Sequence, residues 1–406
     1  MFYNPKSAIQ NLYMFESLYI AWRYIAYNRI KTLVLVACVT LIAFLPLSLN
    51  LLLDESERQL MSRAANTPLV IGTKGSSLDL VMNTLYFDDE VPELIAMDAS
   101  ERVETAALAL PIPMYVRFEA RGNPIVGTTL DYFDFRGLKI TKGRQMAVLG
   151  ECVLGAKAAE RLGLGPGDSL VSSPESLFDL AGVYPLKMKI VGVLSRSHSS
   201  DDLVVFGDLK TAWVIQGLGH GHEDIKKLND PTLVLNRTES NVAATAKLYH
   251  YNEITNKNIE SFHFHGDPTV YPITAVIAVP FDEKSGTILQ GRYLSKAEAQ
   301  QIVRPEEVID GLLQNIFRIK NVMDAVISVV AVATILAIIL VFVLSLRLRQ
   351  GEIQTIFKLG CSRMTITRLV AAEIVLIVLV SGVLCGAFMF AVNLYANDLV
   401  RMLFIR

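Results

Sequence analysis

Three long apolar runs constrain this chain more than any other feature. They extend from Leu33 to Leu53, from Ala325 to Leu346, and from Ile374 to about Ala396, and none contains a charged residue. A helix needs roughly 20 apolar residues to cross a bilayer, and each run is long enough. Composition agrees, since apolar residues make up 52% of the 406 and the mean hydropathy is positive. That share exceeds what a soluble domain carries. The first run starts some thirty residues in and is longer than the core of a cleaved signal, so it reads as a retained span. Pro46 lies inside it, where a bundle tolerates a proline.

Charge placement orients the spans. Arg23, Arg29 and Lys31 precede the first run, and Asp54, Glu55 and Glu57 follow it. Arg347 and Arg349 follow the second, with Lys358, Arg363 and Arg368 beyond. The excess of basic residues on the cytoplasmic side therefore puts the N-terminus and the 347–367 loop inside. The predicted organisation is a cytoplasmic amphipathic entry helix (1–31), a first span (32–53), an extracytoplasmic region (54–320), a second span (321–346), a cytoplasmic loop and helix (347–367), a third span (368–396) and a short outer tail (397–406). Leu18, Trp22, Ile25 and Ile30 recur at roughly helical spacing in the entry segment. Trp22, Tyr24 and Tyr27 are aromatics that favour the membrane interface.

The outer region is long enough for one or two folded domains. Its texture is α+β. Short strand-like runs occur at Leu69, at Met114–Phe118 and at Lys187–Leu194, with others at Ala147–Gly150, Leu203–Gly207, Pro231–Leu235 and Val270–Pro280. Helices are expected over Glu151–Leu162, over Leu209–Ile215 and across 295–320.

The segment from Arg347 to Glu373 joins two spans. Ile353, Ile356 and Phe357 fall at i, i+3 and i+4, which makes one face of a short helix apolar. Gly360 stands where that helix would stop, and Ser362 where the next would be capped. Glu373 opens the third span, where a carboxylate is costly and is expected to pair with Arg368 or Arg349. Gly382 and Gly386 form a Gly-x-x-x-Gly pattern that permits close helix approach.

Several motifs, in order, carry a resemblance. They are Ala21-Trp-Arg-Tyr-Ile-Ala-Tyr-Asn-Arg-Ile-Lys-Thr, Gly127-Thr-Thr-Leu-Asp-Tyr-Phe with Arg136-Gly-Leu, Gly143-Arg144, Val148-Leu-Gly, Leu162-Gly-Leu-Gly-Pro-Gly-Asp, Ile190-Val-Gly-Val-Leu, Arg349-Gln-Gly-Glu-Ile, Lys358-Leu-Gly-Cys-Ser-Arg and Glu373. Together they resemble permeases of the FtsX/MacB type, the membrane subunits of mechanically acting ABC systems. The resemblance implies an α-helical membrane protein of the bacterial inner membrane with a MacB-like periplasmic core domain. It implies a second permease copy, a separate cytoplasmic ABC ATPase that binds ATP and Mg, a periplasmic adaptor or substrate protein, and membrane lipids as partners. Nucleic acid is not expected. Arg349, Glu352, Ile353, Lys358, Gly360 and Arg363 lie in the motifs that resemble the family's ATPase-coupling loop, and Ile356 and Phe357 join Ile353 on the apolar face of its helix. The family's common layout has four spans and three are found here, so a fourth is expected to be lost in this branch or supplied by another chain.

The chain contains no Gly-x-x-x-x-Gly-Lys-Ser/Thr phosphate cradle, so nucleotide hydrolysis is expected in the partner and no catalytic residue is assigned. Ser195, Ser197, His198 and Asp201 are near in sequence, which does not make a triad. All six histidines lie between His198 and His265, and two pairs, His220/His222 and His263/His265, have the His-x-His spacing. On a strand that spacing puts both rings on one face, an arrangement suited to zinc or copper. Glu223, Asp224 and Asp267 could complete such a site. Of the cysteines only Cys152 is external, so that region has no internal disulfide available.

The expected function is transmission of ATP-driven motion to an outer domain that acts on a lipid-linked, peptide or small-molecule cargo. Two other classes stay open. One is a non-transporting regulator of an outer partner such as a cell-wall hydrolase. The other is a metal-linked transporter using the His198–His265 cluster.

Overall fold

The computed structural model describes residues 18–173, 185–221, 234–237, 242–244, 252–295, 297–348, 350–358 and 363–404. By internal contacts it divides into a helical unit, up to Arg58 and from Leu313 onward, and an α+β unit, Gln59–Leu312.

Three helices are long and apolar enough to cross a membrane, Arg29–Ala65, Pro305–Leu348 and Arg363–Phe404. Residues 18–27 form a helix that bends at Asn28 before the first long helix begins. Tyr19, Trp22 and Tyr27 are exposed on it and Ala21 is buried. Pro46 sits inside the first long helix. Ser48 Oγ donates to the Leu45 carbonyl at 3.0 Å and Asn50 Nδ2 to the Pro46 carbonyl at 2.9 Å, which satisfies these polar groups inside the helix itself.

Within the helical unit the first and third helices pack along one seam. Leu35, Val36 and Ile377 are buried together, and the Phe44 and Phe388 rings lie 5.7 Å apart. Between these contacts Ser381 Oγ donates to the Val36 carbonyl at 3.3 Å, and Thr40 Oγ1 makes a long 3.5 Å contact with the Ser381 carbonyl. Small hydroxyl residues thus bring the two helices together, as expected where lipid supplies no hydrophobic drive.

The α+β unit is built on a mixed sheet of eleven strands among the described residues. Its main path runs from Asn252–Glu253 through Leu186–Leu194, Glu151–Leu154, Val205–Asp208, Asn123–Thr128, Ala109–Ala120, Ala275–Pro280 and Leu69–Thr73 to Gln300–Val303. Ile140–Gly143 and Ser169–Val171 also pair with Leu186–Leu194. The central strands are buried over most of their length, fully at Tyr115, Ile125, Leu154 and Phe206, which is the pattern of strands covered on both faces. Helices Asp98–Ala106 and Leu209–Ile215 contribute Ala99, Val103, Ala212 and Trp213 to the same core.

Four expectations need correction. Ala147–Gly150 is a turn, ending at Gly150 with φ +84°. Glu151–Leu154 is a buried strand, and the helix expected from Glu151 starts only at Ala156. The reason is Glu151, whose carboxylate accepts from the Ala147 and Val148 amides and from Arg144, closing the turn and leaving Cys152, Val153 and Leu154 to the core. The stretch Val270–Pro280 is interrupted at Thr274, whose buried hydroxyl donates to the Met114 carbonyl at 2.9 Å and accepts from the Val116 amide at 3.2 Å. Residues 295–320 do not form one helix. Gln300–Val303 is an edge strand paired with Leu69–Thr73, and helix starts at Pro305, a residue whose fixed φ suits a first helical position. Of Pro231–Leu235, only Val234 and Leu235 lie among the described residues, in a strand paired with Val242–Ala244.

Gly143 explains one of the sequence motifs physically. It has φ +77°, and a Cβ there would stand 2.1 Å from the Val191 carbonyl oxygen. Gly143→Ala is therefore expected to destabilise the α+β unit by about 1–3 kcal/mol, read as a lowered midpoint in urea unfolding.

Candidate functional site

The last turns of the helix Arg29–Ala65 belong to the α+β unit and are fastened there by a buried charge. Leu60, Ala64 and Thr67 are buried around it. Arg63 grips Asp201 with two nitrogens, Nη1 to Oδ2 at 2.6 Å and Nη2 to Oδ1 at 3.0 Å. Arg63 Nη2 also donates to Tyr132 Oη at 2.8 Å, and Tyr132 in turn donates to Asp201 Oδ1 at 2.7 Å. Ser199 Oγ donates to Asp201 Oδ2 at 2.8 Å. The guanidinium lies 5.2 Å from the centre of the Phe87 ring. Arg136 Nη2 bonds Thr67 Oγ1, which donates to the Arg63 carbonyl. Tyr86 donates to the Leu60 carbonyl.

Local sequence puts these groups in place. Tyr132 and Arg136 are carried by the short helix Asp131–Arg136, one turn apart. Asp201 sits in the 3-10 turn Ser200–Leu203, capped by Ser199. That turn is pressed against Gly155, where a Cβ would stand 2.2 Å from the Asp201 carbonyl oxygen. Phe206 packs against Tyr132, Phe133 and Phe87, so the charges are enclosed by aromatic rings.

Burial by itself would raise the Asp201 carboxyl, but the Arg63 guanidinium and the hydrogen bonds outweigh it and hold Asp201 at about 2. Burial raises the Tyr132 hydroxyl above its ordinary value against the pull of Arg63. Burial, joined by repulsion from Arg63, lowers Arg136. Two Arg Nε groups, of Arg63 and Arg136, have no partner in this network. In this arrangement the Ser199 and Tyr132 hydroxyls are committed to holding the Asp201 carboxylate. It is a charge-assisted clamp, the kind of contact that fixes geometry.

Other expected site residues are distributed as follows. Arg349 and Gly360 lie outside the described residues. Glu352, Ile353, Ile356 and Phe357 belong by backbone to the helix Gln350–Lys358, and Arg363 begins the next helix, while their side chains are likewise outside the description. Lys358 is exposed at the end of its helix. Glu373 is buried, and it pairs with Lys31 of the first long helix at 3.5 Å, not with Arg368. Arg368 is only about one helical turn from Glu373 along the chain, whereas helix packing brings in a residue 342 positions away. A Cβ on Gly382 or Gly386 would meet open space, so the glycine pattern does not mediate a close approach within the described chain.

His222 lies outside the described residues, and of His220 only the backbone is described. His220 is in the strand Gly219–Gly221, paired directly with His263 of Phe262–Phe264. His263 and His265 have ring centroids 4.5 Å apart. His198 lies elsewhere, in the loop before Asp201 with φ +56°. Asp267 caps Thr269. Among the described residues no three metal-ligating side chains converge.

The clamp was not visible in the sequence. A lone Arg near a helix end is ordinary, and the Ser-Ser-Asp-Asp run around Asp201 signals only a turn. Asp201 is held below its unfolded value, so its contribution is complete above about pH 4 and fades as pH falls through about 2, amounting to about 2 kcal/mol. Asp201→Asn should flatten acid unfolding over that window and lower stability at neutral pH, as measured by urea titrations at several pH values. In the helical unit, Glu373→Ala leaves Lys31 beside an apolar seam, and it should lower thermal stability in detergent more than Arg368→Ala does.

The family described as the MacB-like periplasmic core domain matches residues 36–248, just over half of the chain. A comparison with curated proteins returns no match. Among solved structures, the periplasmic region of MacB from Actinobacillus actinomycetemcomitans is 11% identical with a TM-score of 0.34, covering 62% of this chain and 97% of that one. The extracellular domain of the noncanonic ABC-type transporter YknZ from Gram-positive bacteria is 12% identical with a TM-score of 0.31, covering 58% and 98%. A domain of a putative permease protein from Porphyromonas gingivalis is 11% identical with a TM-score of 0.26, covering 58% and 85%. With its three long apolar helices and its extracytoplasmic α+β domain, the chain belongs to the family of the MacB-like periplasmic core domain and is an ABC transporter permease of the FtsX/MacB type.

Proposed function

We propose that this permease is a mechanical transmitter. A separate ABC ATPase docks on the cytoplasmic segment around the helix Gln350–Lys358, and its ATP-driven closure moves the membrane helices of a permease pair. The motion reaches the outer domain, which acts on a lipid-linked, peptide or small-molecule cargo. The chain sits in the bacterial inner membrane with its N-terminus in the cytoplasm.

One observation supports this reading above the others. A single helix of 37 residues, Arg29–Ala65, carries an ion pair to the third helix at Lys31 and the buried clamp to Asp201 at Arg63. Bidentate Arg–carboxylate contact resists both sliding and rotation, because either motion breaks two charge-assisted hydrogen bonds at once. A helix held in this way moves with its partners instead of slipping past them. The coupling helix suits an ATPase groove by its periodicity, which sets Ile353, Ile356 and Phe357 on one face.

Two variants separate docking from transmission. Phe357→Asp with Gly360→Pro should abolish co-purification of the ATPase encoded beside this chain. Arg63→Met with Asp201→Leu replaces the whole buried pair by apolar groups, a change that leaves stability within a few kcal/mol of wild type. This second variant should keep the ATPase bound while cargo export falls at least ~10-fold. Wild-type export from the clamp variant would refute transmission through the clamp, and wild-type co-purification of the first variant would refute docking at this loop.

A further inference from the structure

The first and second long helices meet the outer domain at one cleft of about 750 Å³. Ala65 and Thr67 line it at the close of the helix Arg29–Ala65, and Arg304 and Glu306 at the start of the helix Pro305–Leu348. The helix Glu283–Arg292 forms its third wall. All of these lining residues belong to the α+β unit. The volume is in the range of small-molecule sites and suits a ligand larger than one amino acid.

Apolar and charged groups share the lining. Pro68, Leu69 and Pro280 supply apolar surface, and Gly286 lets its helix lie close to the strand, since a Cβ there would stand 3.2 Å from Pro280 Cγ. Five charged side chains complete it, and two of them are already engaged. Asp282 accepts from the Ser285 amide at 2.6 Å, and Arg304 pairs with Glu307 at 3.5 Å. Glu283, Lys284 and Glu306 are exposed, and among the described residues their side chains make no hydrogen bond or ion pair. Thr67 is the buried polar group of the wall. Its Oγ1 donates to the Arg63 carbonyl at 2.9 Å and accepts from Arg136 Nη2 at 2.8 Å, so one face of the cleft is built on the framework of the clamp.

We propose that this cleft binds a short peptide with free termini, its ammonium met by Glu283 and Glu306 and its carboxylate by Lys284. The chemistry of the lining selects this class. Uncommitted charges of both signs beside apolar surface complement a molecule that carries an ammonium, a carboxylate and an apolar body. A divalent metal ion does not suit the cleft, because no three metal-ligating side chains converge among the described residues. The peptide packs on Thr67 and thereby on the anchor of the first long helix. Its use as a signal at that anchor rests on the transmission reading, whereas its binding does not.

The test uses the full chain in detergent, without the ATPase, and trialanine as the probe. Trialanine at ~10 mM should raise the unfolding temperature by at least ~2 °C. N-acetyl-trialanine lacks the ammonium and trialanine amide lacks the carboxylate, so each should give a smaller shift. The variants assign the termini. With Glu283→Gln and Glu306→Gln together, trialanine and its acetylated form should act alike. With Lys284→Met, trialanine and its amide should act alike. Each shift is taken from the same variant's peptide-free unfolding temperature, which separates binding from any effect on folding. An equal shift by free alanine overturns the assignment to a peptide. No shift with trialanine, or the same discrimination in both variants as in wild type, overturns the site. Neither result bears on transmission through the clamp, because no export or ATPase docking is measured.

Discussion

A charge removed from water must be met by an opposite charge in good geometry, and the organisation of the outer domain follows from how Arg63 is met. The arginine is set at the end of a helix that is otherwise apolar for much of its length. Its carboxylate comes from a turn 138 residues later, and its third partner is a tyrosine from a helix between them. Three separate pieces of chain therefore have to be correctly placed before the pair can form. Phe87, Phe133 and Phe206 then exclude the water that would weaken it. The same low dielectric that strengthens the pair makes a half-formed one costly, so the domain has one arrangement at this point rather than several.

The helical unit answers the same problem with less charge. Glu373 and Lys31 are joined near the ends of two helices, and the seam between them is otherwise made of hydroxyl contacts to backbone carbonyls and of apolar side chains. In lipid there is little gain from burying leucine against leucine, so small polar residues such as Thr40 and Ser381 set the approach. The two glycines of the third helix, Gly382 and Gly386, stand away from this seam, and their backbone is left open.

Much of this was legible in the sequence. The apolar runs from Leu33, Ala325 and Ile374 became three long helices because length and hydropathy are decisive for such segments. Leu209–Ile215 and the strand ending at Leu194 were found because their periods are clean. Errors arose where a side chain overruled a local preference. Glu151 looked like the start of a helix and instead closes a turn through its carboxylate. Gln300–Val303 looked helical and instead completes the sheet edge against Leu69–Thr73, a pairing between segments more than 220 residues apart. The candidate site was hardest to read. Arg63, Tyr132 and Asp201 have no common spacing, and only the topology joins them. The same holds for Lys31 and Glu373, where nearness along the chain pointed to the wrong arginine. The histidines are a different case, since the His-x-His spacing is plain in the sequence and yet no three metal-ligating side chains converge among the described residues.

The proline within the first long helix has a mechanical consequence. Pro46 lies fifteen residues from Lys31 and seventeen from Arg63, close to the midpoint. A proline there removes one rung of the helical ladder, and bending compliance concentrates where a rung is missing. The missing rung leaves the Ile42 carbonyl without its usual amide donor in the membrane-spanning part of the helix, and that is where this helix yields first under load.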